Sequence, residues 1–378
     1  MSVTLTPSCR GHPTPPPGWS LLTNAAAEAR GDLLDAAGLL GLPARAAARA
    51  ERVRVLEPSA AGLAALRHDL RSNPPEGWSE DRATVEAGLP WDAPPASADV
   101  VALAPPAERG SARVLAELAA ASYALRPDGT AWVLLEKDRG AKRYERSAER
   151  WFDEVRVTAR SKGWRLARLT GPRPPTAHEL DRAVWTGFEG DPGGPAWAVA
   201  GCYAAGKLDP GTATLLRTLE ARSDDEAAEL VAAGRALLDL GCGWGPLTAW
   251  ATRRGAIVTA TDDDLAAVRS CRRTLAELPG GEAATVLHGD LDDALTADAR
   301  FEAVLLNPPF HLGSGVRVGL GQAFVQVAAR RLAPGGEAWI VANEALPYER
   351  RHEGPERVCV VHREAGFKIV RLRAPTRR

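Results

Sequence analysis

The chain contains two copies of one sequence pattern, and this duplication constrains its fold more than any other feature. Residues 99–106 and 302–309 each consist of an acidic residue, a short apolar run and a pair of prolines. Such a run suits a buried parallel strand, and prolines end strands. An alanine-rich stretch typical of a helix follows each pair of prolines, and another apolar run comes next. The pattern therefore predicts two α/β units in tandem.

Landmarks further upstream repeat with nearly the same spacing. Apolar runs reach Asp35 and Asp239, and the next predicted strands end at Glu57 and Asp262. The two landmarks lie 22 residues apart in the first copy and 23 residues apart in the second. Alternating strands and helices of this kind predict, in each half, a parallel sheet covered by helices on both faces, which is a Rossmann-like arrangement.

Length and a proline-rich segment predict where the two units meet. The 378 residues exceed one ordinary domain and suit two. Residues 171–175, Gly-Pro-Arg-Pro-Pro, are typical of a stiff linker. We therefore expect an N-terminal domain over residues 1–175 and a C-terminal domain over residues 176–378.

Composition narrows the compartment and the partners. No apolar run approaches the roughly 18–20 residues of a membrane helix, and the proline-rich start lacks the apolar core of a signal peptide. The five cysteines are scattered and form no C-x-x-C pair, which argues against a zinc site and against disulfides. We expect a cytoplasmic protein without a metal. Because the net charge is −1, only a local basic patch could attract a polyanionic partner.

A strand, a glycine-rich turn and a helix start follow one another over residues 236–246. Asp239 lies near the end of the apolar run, and Gly241, Gly243 and Gly245 come next at alternate positions. Glycines let the backbone turn sharply and approach a ligand closely. The spacing differs from the G-x-G-x-x-G of dinucleotide-binding proteins. The segment predicts a ligand-binding loop at the N-terminus of a helix.

Acidic residues after the next two strands predict further contacts with the same ligand. Asp262 ends a β-rich run, where a carboxylate can accept hydrogen bonds from ribose hydroxyls. Asp263 and Asp264 follow it, and one of these two neighbours is expected to cap the next helix. Asp290 ends another short strand and is placed to reach an adenine amino group, although a turn or a helix cap explains it equally well.

The sequence Asn307-Pro308-Pro309-Phe310 follows the strand predicted over residues 301–306. Open α/β sheets bind ligands beyond the carboxyl ends of their strands, and two prolines fix the backbone there. The side-chain oxygen of Asn307 and the carbonyl of Pro308 can both accept from an exocyclic amine. Phe310 offers a face on which a flat base can stack. Two acceptors on the N–H groups would aim the nitrogen lone pair at a methyl donor, which is catalysis by positioning.

These motifs together resemble a known family. The segment Asp239–Gly245, with Asp262, Asp290 and Asn307–Phe310, resembles class I S-adenosylmethionine-dependent methyltransferases of the Asn-Pro-Pro-Phe type. The resemblance implies methyl transfer to an exocyclic amine. The duplicated chain is similar to the RsmC/RlmG family of ribosomal RNA guanine-N2 methyltransferases, whose N-terminal methyltransferase-like domain has lost its cofactor site.

That similarity carries further expectations. It implies two tandem Rossmann-like class I methyltransferase domains with a degenerate N-terminal one, S-adenosylmethionine as cofactor, and a monomer. The expected target is a guanine N2 amine in ribosomal RNA, with the 16S RNA of the small subunit favoured. Residues 201–211 are similar to the stretch before the family's first core strand. This implies Lys207 and Asp209 as cofactor-binding candidates, although Lys207 is explained equally well as a solvated loop lysine.

The N-terminal copy lacks the groups that this chemistry needs. Residues 37–41 read Ala-Gly-Leu-Leu-Gly where residues 241–245 read Gly-Cys-Gly-Trp-Gly, and the leucines are expected to crowd a ligand. Residues 104–107 read Ala-Pro-Pro-Ala, which removes both the amine acceptor and the stacking ring. We therefore expect no methyl transfer in the N-terminal domain.

The N-terminal domain nevertheless offers a basic stretch over residues 137–173. It contains 12 cationic and 5 acidic residues, a local charge of +7, with Trp151, Phe152 and Trp164 interleaved. Phosphate contacts from such a patch would bind RNA without sequence preference and in a salt-sensitive way. A solvated helix face with buried aromatic residues explains the stretch equally well.

Two other hypotheses stay open. The Asn-Pro-Pro-Phe loop does not distinguish guanine N2 from adenine N6 or from a protein glutamine. A non-catalytic RNA-binding or assembly protein that keeps a cofactor fold is the third hypothesis, and the intact Asn307 and glycines argue against it.

Overall fold

The structure of the chain is a computed structural model that describes residues 18–38, 41–75, 77–190, 194–221, 231–309, 311–312, 315–316 and 318–376. The chain forms two compact units, Met1–Trp185 and Thr186–Arg378. Within the described residues, no helix is long and apolar enough to cross a membrane.

The division between the units falls ten residues after the boundary expected at residue 175. Gly171 and Pro172 belong to a strand of the first unit. The helix Ala177–Val184 then packs against the helix Ser111–Ala124 and buries Leu180. Because this contact lies within the first unit, the helix belongs there.

The first unit alternates helices and strands. Helices α1 to α6 are Trp19–Ala27, Leu42–Ala46, Ala60–Ser72, Ser111–Ala124, Ala141–Ala148 and Ala177–Val184. Strands β1 to β7 are Asp32–Asp35, Arg52–Glu57, Ala83–Ala87, Ala98–Leu103, Leu125–Glu136, Phe152–Ser161 and Trp164–Pro172. The strands form one sheet in the order β3-β2-β1-β4-β5-β7-β6, in which β1 to β5 pair in parallel and β7 is antiparallel to both of its neighbours.

The second unit repeats this plan. Its described helices α7 to α10 are Pro210–Glu220, Pro246–Thr252, Leu265–Ala276 and Val318–Arg330. Its strands β8 to β18 are Trp185–Glu189, Pro195–Val199, Ala236–Leu240, Ile257–Asp262, Thr285–His288, Phe301–Leu306, His311–Leu312, Gly315–Val316, Leu332–Asn343, Arg357–Glu364 and Phe367–Arg373. The large sheet has the order β12-β11-β10-β13-β16-β18-β17, and the pairs β8/β9 and β14/β15 form small separate sheets.

The strand orders of the two large sheets are identical when each is numbered from its own first strand. In both sheets the first five strands in this order are parallel. The last strand in sequence, β7 or β18, is inserted antiparallel beside them, and β6 or β17 forms the edge. The predicted α/β fold with two tandem Rossmann-like units is therefore confirmed.

The acidic residue of the repeated pattern performs the same task in both units. Asp99 Oδ2 accepts a hydrogen bond from the backbone N–H of Asp32, at 2.7 Å, where β1 begins beside β4. Glu302 Oε2 accepts from the N–H of Ala236, at 3.0 Å, where β10 begins beside β13. Each carboxylate thus accepts from a backbone N–H group at the start of the neighbouring strand. This contact explains why an acidic residue precedes the apolar run.

The second unit buries both faces of its central strands. Leu238 and Val304 lie in one apolar cluster with Val325 of α10. Leu237 and Leu305 lie in another, with residues of α7 and α8. Because successive side chains of a strand point to opposite faces, a strand that is covered on both sides must be apolar throughout.

Candidate active site

The parallel strands of the second unit bring the predicted ligand residues to one edge of the sheet. Leu240 ends β10 and pairs with Thr261 of β11 and Leu306 of β13. Asp262 ends β11 and pairs with His288 of β12. Because these four strands are parallel, the loops that follow them all leave from their carboxyl ends, which is where sheets of this class bind ligands.

Two glycines of the glycine-rich loop differ in how much space surrounds their Cα atoms. Gly245 has φ +93° and caps α8, and a Cβ on it would lie 2.7 Å from Cys271 Sγ, so packing excludes a side chain. Gly243 has φ +58°, yet a Cβ on it would meet no described atom within 4 Å outside its chain neighbours. The loop is therefore packed at Gly245 and open at Gly243.

Asp239 is completely buried beneath this loop. Its Oδ2 accepts a hydrogen bond from Thr248 Oγ1 at 2.6 Å, and its Oδ1 has no partner among the described residues. Burial raises the pKa of Asp239 to about 6. A buried carboxylate oxygen without a donor is costly, and a bound ligand is one way to satisfy it.

Asp262 holds the glycine loop in place. Its Oδ2 accepts from the N–H of Gly243, and its Oδ1 accepts from the N–H of Asp264, both at 2.9 Å. Burial, together with the nearby Asp264 carboxylate, raises the pKa of Asp262 to about 7. Asp264 itself caps α9 by accepting from the N–H of Ala266. Of the three adjacent acids, the cap is thus Asp264, and Asp262 faces the loop.

Asn307 follows β13, and its amide nitrogen makes two hydrogen bonds to α7. Its Nδ2 donates to Asp209 Oδ2 and to Thr212 Oγ1, both at 2.9 Å. Asp209 caps α7, and its Oδ1 accepts from the hydroxyl of Tyr203 at 2.7 Å. The Tyr203 side chain is largely exposed, and partial desolvation of its hydroxyl, together with the bond to Asp209, raises the pKa of that hydroxyl well above its ordinary value. The predicted amine acceptor therefore lies in a fixed hydrogen-bond network.

Sequence reasoning did not identify three members of this site, Tyr203, Thr212 and Thr248. Asp-Pro-Gly-Thr at residues 209–212 is recognisable as a helix start, with a capping Asp and a proline at the first helical position. The contact of that helix start with Asn307 has no local signal, because the two segments are 98 residues apart.

The remaining predicted residues are less closely tied to the loop. Asp290 is partly buried just beyond β12, and the N–H of the preceding residue, Gly289, donates to the carbonyl of Asp262 at 3.0 Å. Pro308 is buried and Pro309 is partly buried, whereas Lys207 is exposed. Phe310 lies outside the described residues, so its stacking role stays a prediction. Among the residues that the structure describes, no group of three or more His, Cys, Asp or Glu could hold a metal ion.

In the first unit, backbone N–H groups occupy the carboxylate that corresponds to Asp239. Asp35, which corresponds to Asp239, is completely buried and accepts from the N–H groups of Ala37 at 3.1 Å and Ala44 at 2.8 Å. Burial raises the pKa of Asp35 to about 7. Both of its oxygens are therefore occupied by backbone donors. Leu39 and Leu40, expected to crowd a ligand, lie outside the described residues.

Comparisons with known proteins agree with this geometry. Residues 195–371 match the family described as Methyltransferase small domain. A ribosomal RNA small subunit methyltransferase C from Pseudomonas fluorescens is 32% identical over 337 residues, which are 83% of this chain and 93% of that protein. Its namesake from Chromohalobacter salexigens is 39% identical over 170 residues, and the chain spans only 47% of that protein's length.

A solved structure is similar over nearly the whole chain. It is the T. thermophilus 16S rRNA N2 G1207 methyltransferase (RsmC), in complex with AdoMet and guanosine. It is 32% identical to this chain with a TM-score of 0.78, and the match covers 95% of this chain and 92% of that one. The likeness therefore includes both units.

Proposed function

The chain belongs to the ribosomal RNA small subunit methyltransferase C family, and we propose on that premise that it transfers a methyl group from S-adenosylmethionine to the N2 amine of a guanine in 16S ribosomal RNA. The observation that carries the proposal is Asn307, which lies at the carboxyl edge of the sheet with its amide nitrogen already bonded to α7. Its remaining polar atom is an acceptor, and an exocyclic amine is a donor.

The residues beside Asn307 fit the cofactor. The Oδ1 atom of Asp239 is buried without a partner among the described residues, and the space beside Gly243 is open. S-adenosylmethionine has an ammonium group and two ribose hydroxyls, which are donors for buried carboxylates. We assign the ribose to Asp262 and the adenine amino group to Asp290, and Asp239 with the glycine loop lines the remainder.

The protein's part in the reaction is to hold the amine. Asn307 Oδ1 accepts one N–H of the target nitrogen and the Pro308 carbonyl accepts the other, which fixes the direction of the nitrogen lone pair. When bound, S-adenosylmethionine would supply an electrophilic methyl group as its C–S bond breaks, and the amine proton that the new C–N bond displaces would pass to solvent. Orientation of this kind lowers the barrier because the entropy of alignment is lost on binding rather than in the reaction step.

Replacement of Asn307 tests the proposal. We expect Asn307→Ala to abolish transfer of labelled methyl to 16S RNA and to leave the dissociation constant of S-adenosylmethionine, measured by calorimetry, nearly unchanged. Full activity of the variant would refute the assigned role. If cells that carry the variant behave like wild type although the enzyme is inactive, the assembly hypothesis gains instead.

We further propose that RNA contacts the outer strands of the first unit. Arg156 and Arg160 are exposed on the edge strand β6, and the turn that follows exposes Lys162. Arg156 pairs across the sheet with Arg168, whose guanidinium lies 6.0 Å from the ring centre of Trp132 on β5. This combination of exposed cations and an aromatic ring suits a phosphate backbone with nearby bases.

Not all of the basic stretch is available for RNA. Arg165 bonds to both oxygens of Glu145, Arg139 pairs with Glu136, and Arg173 lies 3.4 Å from Asp153. Three of the twelve cations of the stretch are therefore held by carboxylates, and the β6 cations are the better candidates to face phosphates.

A triple substitution measures their contribution. Arg156→Ala, Arg160→Ala and Lys162→Ala together should weaken RNA binding at low salt and reduce the slope of log K against log salt by about 2, since each phosphate contact contributes roughly 0.7 to 0.9. Arg30→Ala with Arg71→Ala, two exposed cations elsewhere in the first unit, serves as the control. Equal effects of the two variants would mean that β6 has no special role.

A further inference from the structure

Asn307 can present either of two faces to a substrate. Its side-chain amide has an oxygen that accepts and a nitrogen that donates, and a rotation of 180° about the last bond exchanges them. An amine substrate is held only when the oxygen faces it. The question for this site is therefore what selects one orientation of the amide.

The contacts with α7 select it. Both N–H groups of Asn307 Nδ2 have acceptors, one on Asp209 Oδ2 and the other on Thr212 Oγ1, each at 2.9 Å. An ionised carboxylate only accepts, so the rotated amide would bring its oxygen against Asp209 Oδ2. We infer that Asp209 and Thr212 are positioning residues that fix the Asn307 amide with its oxygen toward the target amine.

Asp209 is well placed for this task because its own carboxylate accepts hydrogen bonds from two further donors. Its Oδ1 accepts from the Tyr203 hydroxyl at 2.7 Å, and its Oδ2 accepts from the N–H of Thr212 at 2.9 Å. A Cβ on Gly211 would lie 3.0 Å from Asp209 Oδ2, so the glycine leaves room for the carboxylate. The carboxylate cannot turn away from Asn307 without breaking these bonds.

This assignment differs from the cofactor role expected for Asp209 and rests on the proposed methyl transfer. A residue that orients Asn307 acts on the turnover number of the enzyme. A residue that binds S-adenosylmethionine would act first on the cofactor's dissociation constant. The two roles therefore predict different readouts for the same substitution.

Two substitutions of Asp209 separate orientation from helix capping. In Asp209→Ser the hydroxyl still caps α7, because serine is a good N-cap residue, but it is too short to hold Asn307. In Asp209→Asn the side-chain oxygen still accepts from Asn307 Nδ2 and from the N–H of Thr212, but these hydrogen bonds are weaker because the acceptor is uncharged. We expect both variants to have a similar melting temperature. The kcat of Asp209→Ser should be roughly 10- to 100-fold lower, which is the factor for one hydrogen bond to a charged group. Asp209→Asn should recover most of that loss.

Substitutions of Thr212 give a second, independent test. Thr212 is buried, and Thr212→Val keeps its shape but removes the acceptor. We expect a kcat about 2- to 10-fold lower, the factor for an uncharged hydrogen bond, with Thr212→Ser restoring it. The dissociation constant of S-adenosylmethionine should stay within about 2-fold of wild type in all four variants.

The outcomes are distinguishable. A wild-type protein that binds S-adenosylmethionine but methylates no RNA would refute the proposed function itself. With an active wild type, an unchanged kcat in Asp209→Ser and Thr212→Val would refute the positioning role. A cofactor dissociation constant that rises as much as kcat falls would make Asp209 a cofactor-binding residue instead.

Discussion

Gly243→Ala distinguishes the ligand role of the glycine loop from its backbone role. Gly243 has φ +58° and open space where a Cβ would lie. Because the new methyl displaces no described protein atom, the cost to the free energy of unfolding comes from the left-handed backbone alone, about 1–2 kcal/mol. The fold should therefore survive the change.

Gly243→Ala should weaken cofactor binding as well as lower stability. The methyl group enters the space that we assign to S-adenosylmethionine, and overpacking by one methyl group in a filled site costs about 1–3 kcal/mol. That free energy corresponds to a dissociation constant roughly 5- to 140-fold higher, at 1.4 kcal/mol for each factor of ten.

Calorimetry and urea unfolding measure the two effects separately. Gly280→Ala is the matched control, because Gly280 has φ +79° and equally open space but lies in the turn between α9 and β12. We expect similar losses of unfolding free energy in both variants and weaker cofactor binding only in Gly243→Ala. If the two variants bind S-adenosylmethionine equally well, the open side of the loop does not face the cofactor.

Three further predictions follow from the same contacts. Gly245→Ala should lower the unfolding midpoint more than Gly243→Ala in thermal melts, because its Cβ also clashes with Cys271 Sγ at 2.7 Å; an equal midpoint would contradict the clash. Stability should fall as pH rises from about 4 to 7, because Asp35, Asp239 and Asp262, with pKa values raised to about 7, 6 and 7, bind protons in the folded state that the unfolded chain has released; urea unfolding at pH 5 and pH 8 measures this, and Asp262→Asn should remove part of the dependence. Glu302→Ala should cost about 1 kcal/mol in urea unfolding, since the N–H of Ala236 loses its acceptor, and Asp99→Ala should cost a similar amount in the first unit; no loss in either would mean that water replaces the carboxylate.

The repeated landmarks made most of the fold predictable. Asp35 and Asp239 occupy equivalent buried positions, and Glu57 and Asp262 end equivalent strands, as the spacing indicated. Hydrophobic runs and proline stops identify the parallel strands because both faces of such strands must be apolar. Once the order of strands is that of a Rossmann-like sheet, the ligand edge follows from topology.

The features that could not be predicted from the sequence depend on tertiary contacts. The bond from Asn307 to Asp209 joins two loops that are distant in the chain, and no local propensity encodes it. The choice among adjacent acids at residues 262–264 depended on which carboxylate reaches the N–H of Ala266. The end of the first unit depended on the packing of α6 against α4. The proline-rich segment at residues 171–175 indicated an earlier boundary, because it resembles a linker.

The identity of the methylated atom is the most direct test of the proposed function. Labelled S-adenosylmethionine would be supplied with small and large ribosomal subunits, and with their naked RNAs, from cells that lack this gene. We predict label on the N2 amine of a single guanine of 16S RNA, located by mass mapping. Label on adenine N6, on a protein glutamine, or on no substrate despite measurable cofactor binding would contradict it.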